Sequence, residues 1–405
     1  MQKKEIDQVF RDPVFGYINI SYEIITEIID TSVFQRLRRI RQLSGVSMVF
    51  HGAEHSRFSH SLGVYEVANR FISKTELKTI LNEREKLLVL ISALLHDIGH
   101  GPYSHAFEDV FNVDHELIGA RIITENKQLR VILNKIDFNF AEDVASIITK
   151  KGKYPLLEQL ISSQLDADRL DYLVRDAYYT GVTYGAVDLD RIIRSLRIID
   201  NKIVFKVSGI HAIENYLISR YHMYWQVYYH NVSRAYEVVL EKIYLRIKDL
   251  LKTDYKFSSN LEPLKQIIND PNNLEHFLLI DDFYINGLIA SFLNSSDQSL
   301  KILSNDFINR KIWNYIPDNE FNKERINEIK EGLTEEQLKY FKASKTVYET
   351  TYKDTNENFG EHIYILLENN TIKTLKEESK IIESLSQSGN KSVPMFFYRD
   401  KNEEA

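Results

Sequence analysis

The chain has 405 residues, of which 43% are hydrophobic and 27% charged, enough for a large core in one elaborated domain or two. Its net charge of -7 argues against a broad basic surface for nucleic acid, and the lack of cysteine excludes disulfides and thiolate zinc sites. The polar start, Met1-Gln2-Lys3-Lys4-Glu5, has no apolar signal region, and the run Leu87 to Leu95, broken by Ser92, is too short to span a bilayer. A cytoplasmic protein without a membrane partner is expected.

Along residues 9–20, Asp12-Pro13 and Gly16 separate short β-prone runs and predict a hairpin. Ser21 can cap a helix through Ile29, and Asp30-Thr31-Ser32 a second from Val33 to Leu43, broken by Ser44-Gly45. Helices are expected over about Arg57 to Ile72 and Arg84 to Ile98. Helical periodicity continues in Glu116–Asn126, Ala141–Thr149, Leu156–Tyr179 and Leu189–Leu196. Asp200-Asn201 marks a hairpin over 197–206, and a long helix runs from Gly209 to about Leu251. Beyond Thr253 the texture turns polar, with strands expected at Val347–Tyr352 and His362–Leu367 and a partly flexible end from Glu377. The fold class is mainly α, with small hairpins: a helical core over 1–252 and a mixed α/β lobe over 253–405, packed on the core and involved in oligomer contacts.

The densest chemistry lies in Leu94-Leu95-His96-Asp97-Ile98-Gly99-His100-Gly101-Pro102. An imidazole nitrogen beside a carboxylate oxygen suits a borderline or hard divalent cation, and such an ion activates water and neutralises phosphate charge. His96 and Asp97 follow mostly apolar positions, where burying them without a partner is costly. Asp168, Tyr172 and Asp176 share one helix face, with Arg175 beside it. Arg220, Tyr224 and Tyr228 share another. Taken alone, each set also fits a salt-bridged helix or an aromatic core stripe.

Several ordered motifs together resemble a known family. They are Arg11-Asp12-Pro13-Val14, Phe34-Gln35-Arg36-Leu37-Arg38, Gln42-Leu43-Ser44-Gly45, His55 to Val64, Leu95 to His105, and Asp166-Ala167-Asp168-Arg169-Leu170-Asp171-Tyr172. The chain resembles, from about Phe10 to about Tyr229, the HD-domain deoxynucleoside triphosphate (dNTP) triphosphohydrolases, which include bacterial dNTPases and the vertebrate restriction-factor dNTPase.

The resemblance implies His60, His96, Asp97 and Asp168 as ligands of a divalent ion (Mn, Fe, Mg, Zn or Ni), in some members joined by a second ion. It implies hydrolysis at the α-phosphorus, giving a deoxynucleoside and inorganic triphosphate. His105 then protonates the 5′ oxygen, oriented by Glu108, while His100 and His115 contact phosphate or hold the attacking group. Arg57, Arg169 and Arg220 fall at phosphate-contacting positions, with Arg169 in place of a vertebrate Lys. Gln42 and Leu43 match positions that check the deoxyribose, and Tyr172 and Asp176 match sugar contacts. Asp166 is grouped with the substrate residues, and Tyr224 and Tyr228 with the base end of the pocket. Tyr224 replaces a vertebrate His and Tyr229 a Gln, which leaves the base preference open.

Regulated family members bind a guanine nucleotide between subunits and become active tetramers. Asp30, Gln35 and Arg38 match the guanine-reading positions, so dGTP or GTP activation and a homo-oligomer, dimer or tetramer, are expected. Against activation, Gln8 stands at a vertebrate Lys position and Phe15 at a His. Two other readings stay open: an HD phosphohydrolase acting on monophosphates, cyclic or hyperphosphorylated nucleotides, and a nucleotide or single-stranded nucleic-acid binding module.

Overall fold

The computed structural model describes residues 3–348, 362–387 and 392–400. Lys3–Asp12 (β1) and Gly16–Tyr22 (β2) form an antiparallel hairpin. Asp12 builds its turn by accepting the amides of Val14 and Phe15 at 2.9 Å each. Gly16 closes it at φ 81°, which a residue without Cβ adopts freely.

Glu23–Ile29 (α1) and Ser32–Gln35 (α2) follow. Thr31, rather than Asp30, caps α2, its hydroxyl accepting Phe34 N at 3.3 Å. The helix expected as far as Leu43 stops at Gln35 and tightens into a 3-10 turn over Arg36–Arg39. Tertiary hydrogen bonds draw the chain away. The buried Arg36 guanidinium donates to the carbonyls of His100 (2.9 Å) and Ile280 (2.6 Å), and Arg41 N donates to Asp282 (2.9 Å).

The core is built on Arg57–Lys74 (α3), Leu77–Ile80 (α4) and Glu83–Leu95 (α5). A reciprocal Asn82–Glu85 capping box starts α5, and every residue from Leu87 to Leu95 is buried. Each such Leu or Ile contributes roughly 1.5–3 kcal/mol by leaving water. Helix α5 ends at Leu95, so His96 and Asp97 stand in the turn that follows and not within the helix. Gly99 lies in the same turn, where an added Cβ would sit 2.1 Å from the His115 carbonyl. Its lack of a side chain lets the next helices close over the turn.

Those helices are His105–Phe111 (α6), His115–Glu125 (α7), Lys127–Leu133 (α8), Phe140–Ile148 (α9), Pro155–Ile161 (α10), Ala167–Thr180 (α11) and Leu189–Ser195 (α12). The single helix expected over Leu156–Tyr179 is therefore two. Asp166 interrupts it, its carboxylate accepting Ser163 N (2.6 Å) and Arg169 N (2.7 Å) and restarting the helix as an N-cap.

Leu196–Ile199 (β3) and Lys202–Lys206 (β4) form the second hairpin. Ile210–Met223 (α13) passes through a π turn at Tyr224–Tyr228 before Asn231–Leu250 (α14), capped by His230, so the expected continuous helix is broken. The wider π turn re-aims the aromatic run.

Further along lie Glu262–Asn269 (α15), Leu274–Phe277 (α16), Asp282–Ser291 (α17) and Gln298–Ile308 (α18), with α18 packed on α14. Asn314–Pro317 (β5), Lys323–Glu331 (α19), Glu335–Tyr340 (α20), Lys342–Tyr348 (β6), Tyr364–Leu366 (β7), Ile372–Thr374 (β8), Leu375–Glu378 (α21), Lys380–Gln387 (α22) and Ser392–Tyr398 (β9) complete the chain. Strand β9 lies between β5 and β6, and β7 pairs in parallel with β4. The stretch after Glu377, expected to be partly flexible, thus holds a helix and a sheet strand; residues 401–405 and the 349–352 part of the Val347–Tyr352 expectation lie outside the described residues. No helix among the described residues is long and apolar enough to cross a membrane.

Candidate metal centre and nucleotide site

Four side chains from three regions converge. His60 comes from α3, His96 and Asp97 from the turn after α5, and Asp168 from the first turn of α11. His60 Nε2 lies 3.2 Å from His96 Nε2, 3.0 Å from Asp168 Oδ1 and 3.6 Å from Asp97 Oδ2. His96 Nε2 lies 3.3 Å from Asp97 Oδ1 and 3.6 Å from Asp168 Oδ1. Ligand bonds of about 2.1 Å place neighbouring donors about 3.0 Å apart at right angles and about 3.4 Å apart in a tetrahedron. The donor spacings and the mixed nitrogen and oxygen chemistry fit a divalent cation.

The electrostatics agree. Burial works against protonating His60, but hydrogen bonds to Asp168 and Asp171 push it up to about 10. Burial also opposes ionisation of Asp97, yet Arg57, His96 and His100 hold it well below the usual carboxylate range. The pocket draws positive charge.

A buried ladder aims the histidines. His60 Nδ1 meets Asp171 Oδ2 at 2.7 Å, leaving Nε2 for the centre. Arg175 Nε holds Asp171 Oδ2 at 2.9 Å, and its Nη1 reaches Asp12 Oδ2 at 2.8 Å. The hairpin turn is thus tied to the metal centre through Asp12, Arg175 and Asp171. His96 Nδ1 sits 2.8 Å from the Ala93 carbonyl, which fixes its tautomer in the same sense. Gly63 makes room, since a Cβ there would lie 1.8 Å from Asp171 Oδ1.

Beside this centre, His100 and His115 stack at 3.8 Å between ring centroids. Glu108 Oε1 lies 3.1 Å from His100 Nδ1 and 3.0 Å from His115 Nδ1. Glu108, expected to orient His105, therefore faces the other two histidines. His105 opens α6, and its side chain lies outside the described residues. His100 also approaches Asp97 Oδ1 at 3.3 Å. Burial and nearby Arg57 lower His100 to about 4, whereas His115 is raised, Glu108 outweighing burial. Arg57 pairs with Asp97 through Nη1 and donates from Nη2 to Ser104 Oγ at 2.6 Å. Tyr103 and Ser104 both have positive φ, 53° and 39°, so the loop that carries these contacts is strained.

A cationic and phenolic region adjoins Asp168. Arg169 interacts electrostatically with Asp166, Tyr172, Tyr216 and Asp168. Arg220 stands over the Tyr224 ring at 5.5 Å and donates to Gln164 Oε1 at 3.1 Å. Tyr228 packs edge-on against Tyr172 at 6.1 Å and Tyr224 at 5.3 Å. Burial opposes ionisation of Tyr224, but Arg220 outweighs it and lowers its pKa. Asp166 is spent beneath Arg169, accepting its Nε at 3.1 Å. Asp176 is also buried, accepting from Tyr228 Oη at 2.8 Å and lying 2.8 Å from His55 Nε2. The backbone N–H of Gln42 donates to the His55 carbonyl at 3.0 Å, with buried Leu43 beside it. Gln42 Oε1, Arg57 Nε and Arg220 Nε are buried without a hydrogen-bond partner.

Asp30, Gln35 and Arg38 lie apart from this centre. Gln35 Nε2 donates to the Ile29 carbonyl and Arg38 Nε to Gln35 Oε1, both at 2.8 Å, while Asp30 is exposed. Arg38 covers Phe58, its guanidinium 3.5 Å from the ring centroid.

Asp12, His55, Asp171 and Arg175 fall within the sequence motifs or helix faces, and only their spatial partners reveal these roles. The spacings 168/171 and 171/175, three and four residues, were the available signal. Asp282 carried none. Its carboxylate accepts Arg41 N at 2.9 Å and Tyr103 N at 3.2 Å, tying the segment before Gln42 to the loop before Ser104.

Residues 57–176 match the HD domain, and residues 187–260 match the HD associated region. Uncharacterized protein YwfO of Bacillus subtilis is 40% identical over 97% of this chain and 93% of its own length. A deoxynucleoside triphosphate triphosphohydrolase SAMHD1 homolog of Dictyostelium discoideum is 28% identical over 82% of this chain and 64% of its own. The crystal structure of a phosphohydrolase from Bacteroides thetaiotaomicron is similar with a TM-score of 0.86 and 34% identity, covering 97% of this chain and 100% of that one. The chain belongs to the HD-domain, dNTPase-like family of metal-dependent phosphohydrolases.

Proposed function

We propose that this protein hydrolyses deoxynucleoside triphosphates to deoxynucleoside and inorganic triphosphate. One observation carries the reading. A donor set suited to a divalent cation adjoins a buried region where Arg57 Nε, Arg220 Nε and the acceptor Gln42 Oε1 have no partner. Unpaired buried polar atoms are costly, and a phosphorylated, hydroxyl-bearing ligand would satisfy both kinds.

His60, His96, Asp97 and Asp168 would hold a divalent ion, which when bound would supply water activation and neutralisation of phosphate charge. The protein does the rest by positioning. Arg57, Arg169 and Arg220 hold the triphosphate. Gln42 takes the sugar edge, with Leu43 packed behind it, and a ribose hydroxyl is excluded by close contact. Asp176, already bound to Tyr228 and His55, fixes the wall that Tyr172 completes. Glu108 holds His100 and His115 toward the phosphates, and His105 delivers the proton to the leaving 5′ oxygen. The Tyr224 and Tyr228 rings form the base end. As part of the same reading, the chain works in the cytoplasm as a homo-oligomer, and Asp30, Gln35 and Arg38 read an activating guanine nucleotide.

The test incubates pure protein with each dNTP singly and with all four mixed, in Mn or Mg, and resolves products by anion exchange. Intact triphosphate is expected. Orthophosphate or pyrophosphate in its place overturns the reading in favour of another HD phosphohydrolase. Activity confined to the mixture identifies activation by a nucleotide.

A further inference from the structure

A second basic site lies behind α6, away from the metal centre. A groove of about 410 Å³ opens between α14, the start of β6 and the end of α6. Lys242, Lys248, Lys342 and Lys345 line it, with Glu241 as its lining carboxylate. Lys345 pairs with Glu241 at 2.8 Å and lies 3.9 Å from Asp109. Lys248 Nζ donates to the Val110 carbonyl at 3.2 Å and Lys242 Nζ to the Lys339 carbonyl at 2.8 Å, which leaves each ammonium further donors. Lys342 is half-buried, and no ion-pair partner faces it among the described residues.

This crowding has a cost. Burial, with Lys342 and Lys345 close by, lowers Lys242 to about 8. Four ammonium groups around one groove need more negative charge than Glu241 and Asp109 provide. No arginine lines the groove. Ammonium point charges spread along a cleft suit a flexible chain of phosphates better than a planar carboxylate, which the arginine fork recognises.

We propose that this groove binds a polyphosphate chain, free or as the triphosphate of a nucleotide, at a site distinct from the metal centre. A bound chain bridges Lys242 and Lys342 across the cleft and engages Lys248. Through Lys248 to the Val110 carbonyl and Lys345 to Asp109, it presses on α6, the helix that carries Glu108 against His100 and His115. The proposal does not depend on the reaction assigned above.

Calorimetric titration of the full chain with inorganic triphosphate, and separately with a nucleoside triphosphate, in EDTA tests it. Arg169→Gln/Arg220→Gln serves as the background, so that binding by the arginines beside the metal centre and binding at the groove are told apart. The expected result is a saturable site that survives in this background and weakens roughly tenfold when Lys342→Gln is added, and further with Lys242→Gln/Lys342→Gln. Lys342→Gln disturbs no pairing seen among the described residues, so an unchanged melting temperature in that variant keeps the test independent of folding. Loss with inorganic triphosphate and nucleotide alike identifies the phosphate chain itself, and loss with the nucleotide alone identifies a nucleoside-bearing chain. Identical isotherms for the parent and Lys342→Gln, with both ligands, overturn the proposal.

Discussion

The metal centre and the adjoining arginine–tyrosine region are built on opposite plans. Around the centre each aiming group is itself held: His60 by Asp171, Asp171 by Arg175, Arg175 by Asp12, and His96 by the Ala93 carbonyl. Outside that ladder Gln42 Oε1, Arg57 Nε and Arg220 Nε are buried without a hydrogen-bond partner, Arg57 on the guanidinium that meets Asp97. A cation site needs donors fixed within a fraction of an ångström, so its supporting shell must be complete. A substrate site keeps hydrogen-bonding capacity in reserve for its ligand. Under the proposed function, the contrast separates the residues that would hold the ion from those that would select the substrate.

Removing a ligand should have the largest effect. Asp97→Ala is expected to abolish hydrolysis, by more than roughly a thousandfold, and to drop bound metal well below one equivalent by elemental analysis. Retained activity with retained metal would remove Asp97 from the centre.

Breaking the ladder behind the centre comes next. Asp171→Asn leaves the Arg175 guanidinium with Asp12 as its one remaining carboxylate. Metal affinity should fall roughly 10–100-fold, and stability by about 3 kcal/mol in denaturant unfolding. An Asp171→Asn protein with parental metal affinity would show that the ladder serves folding alone.

On the selecting side, Arg220→Gln should raise KM roughly tenfold with a smaller change in kcat, while metal content stays at the parental level. A loss confined to kcat would move Arg220 from binding to the chemical step. That split is the direct test of the two building plans.

The smallest effect concerns the strap from α17. Burial raises the Asp282 carboxyl from 3.8 to about 6, so folding favours its protonated form. Its stabilising contribution is complete below the ordinary carboxylate range and is lost as the pH rises through about 6. The melting temperature of the parent should therefore fall, relative to Asp282→Asn, between about pH 4 and pH 6. Parallel melting curves across that range would show that Asp282 titrates normally.

Legibility differed by residue and not by region. Asp168 was readable because Asp166 to Tyr172 is one ordered motif, and His96-Asp97 because it ends an apolar helix. Asp166, grouped by motif with the substrate residues, is an N-cap whose oxygens are consumed by Ser163 and Arg169. Helix periodicity could not register that interruption, because apolar residues continue on both sides of it. The helix expected through Leu43 failed for a different reason. Arg36, Arg39 and Arg41 find partners at Ile280, Asp281 and Asp282, more than two hundred positions away, and local propensity yields to those bonds.

By itself the sequence determined the helical class and the family, since these rest on residue types in fixed local order, and through the family it named His60, His96, Asp97 and Asp168 as candidate ligands. Tertiary structure decided which carboxylates face ligand and which hold other side chains. It set Glu108 against His100 and His115, linked the hairpin turn to His60 through Asp12, and gathered four lysines behind α6. Those outcomes depend on burial and on partners distant in the chain, and the free energy of a buried charge is set by what surrounds it in space.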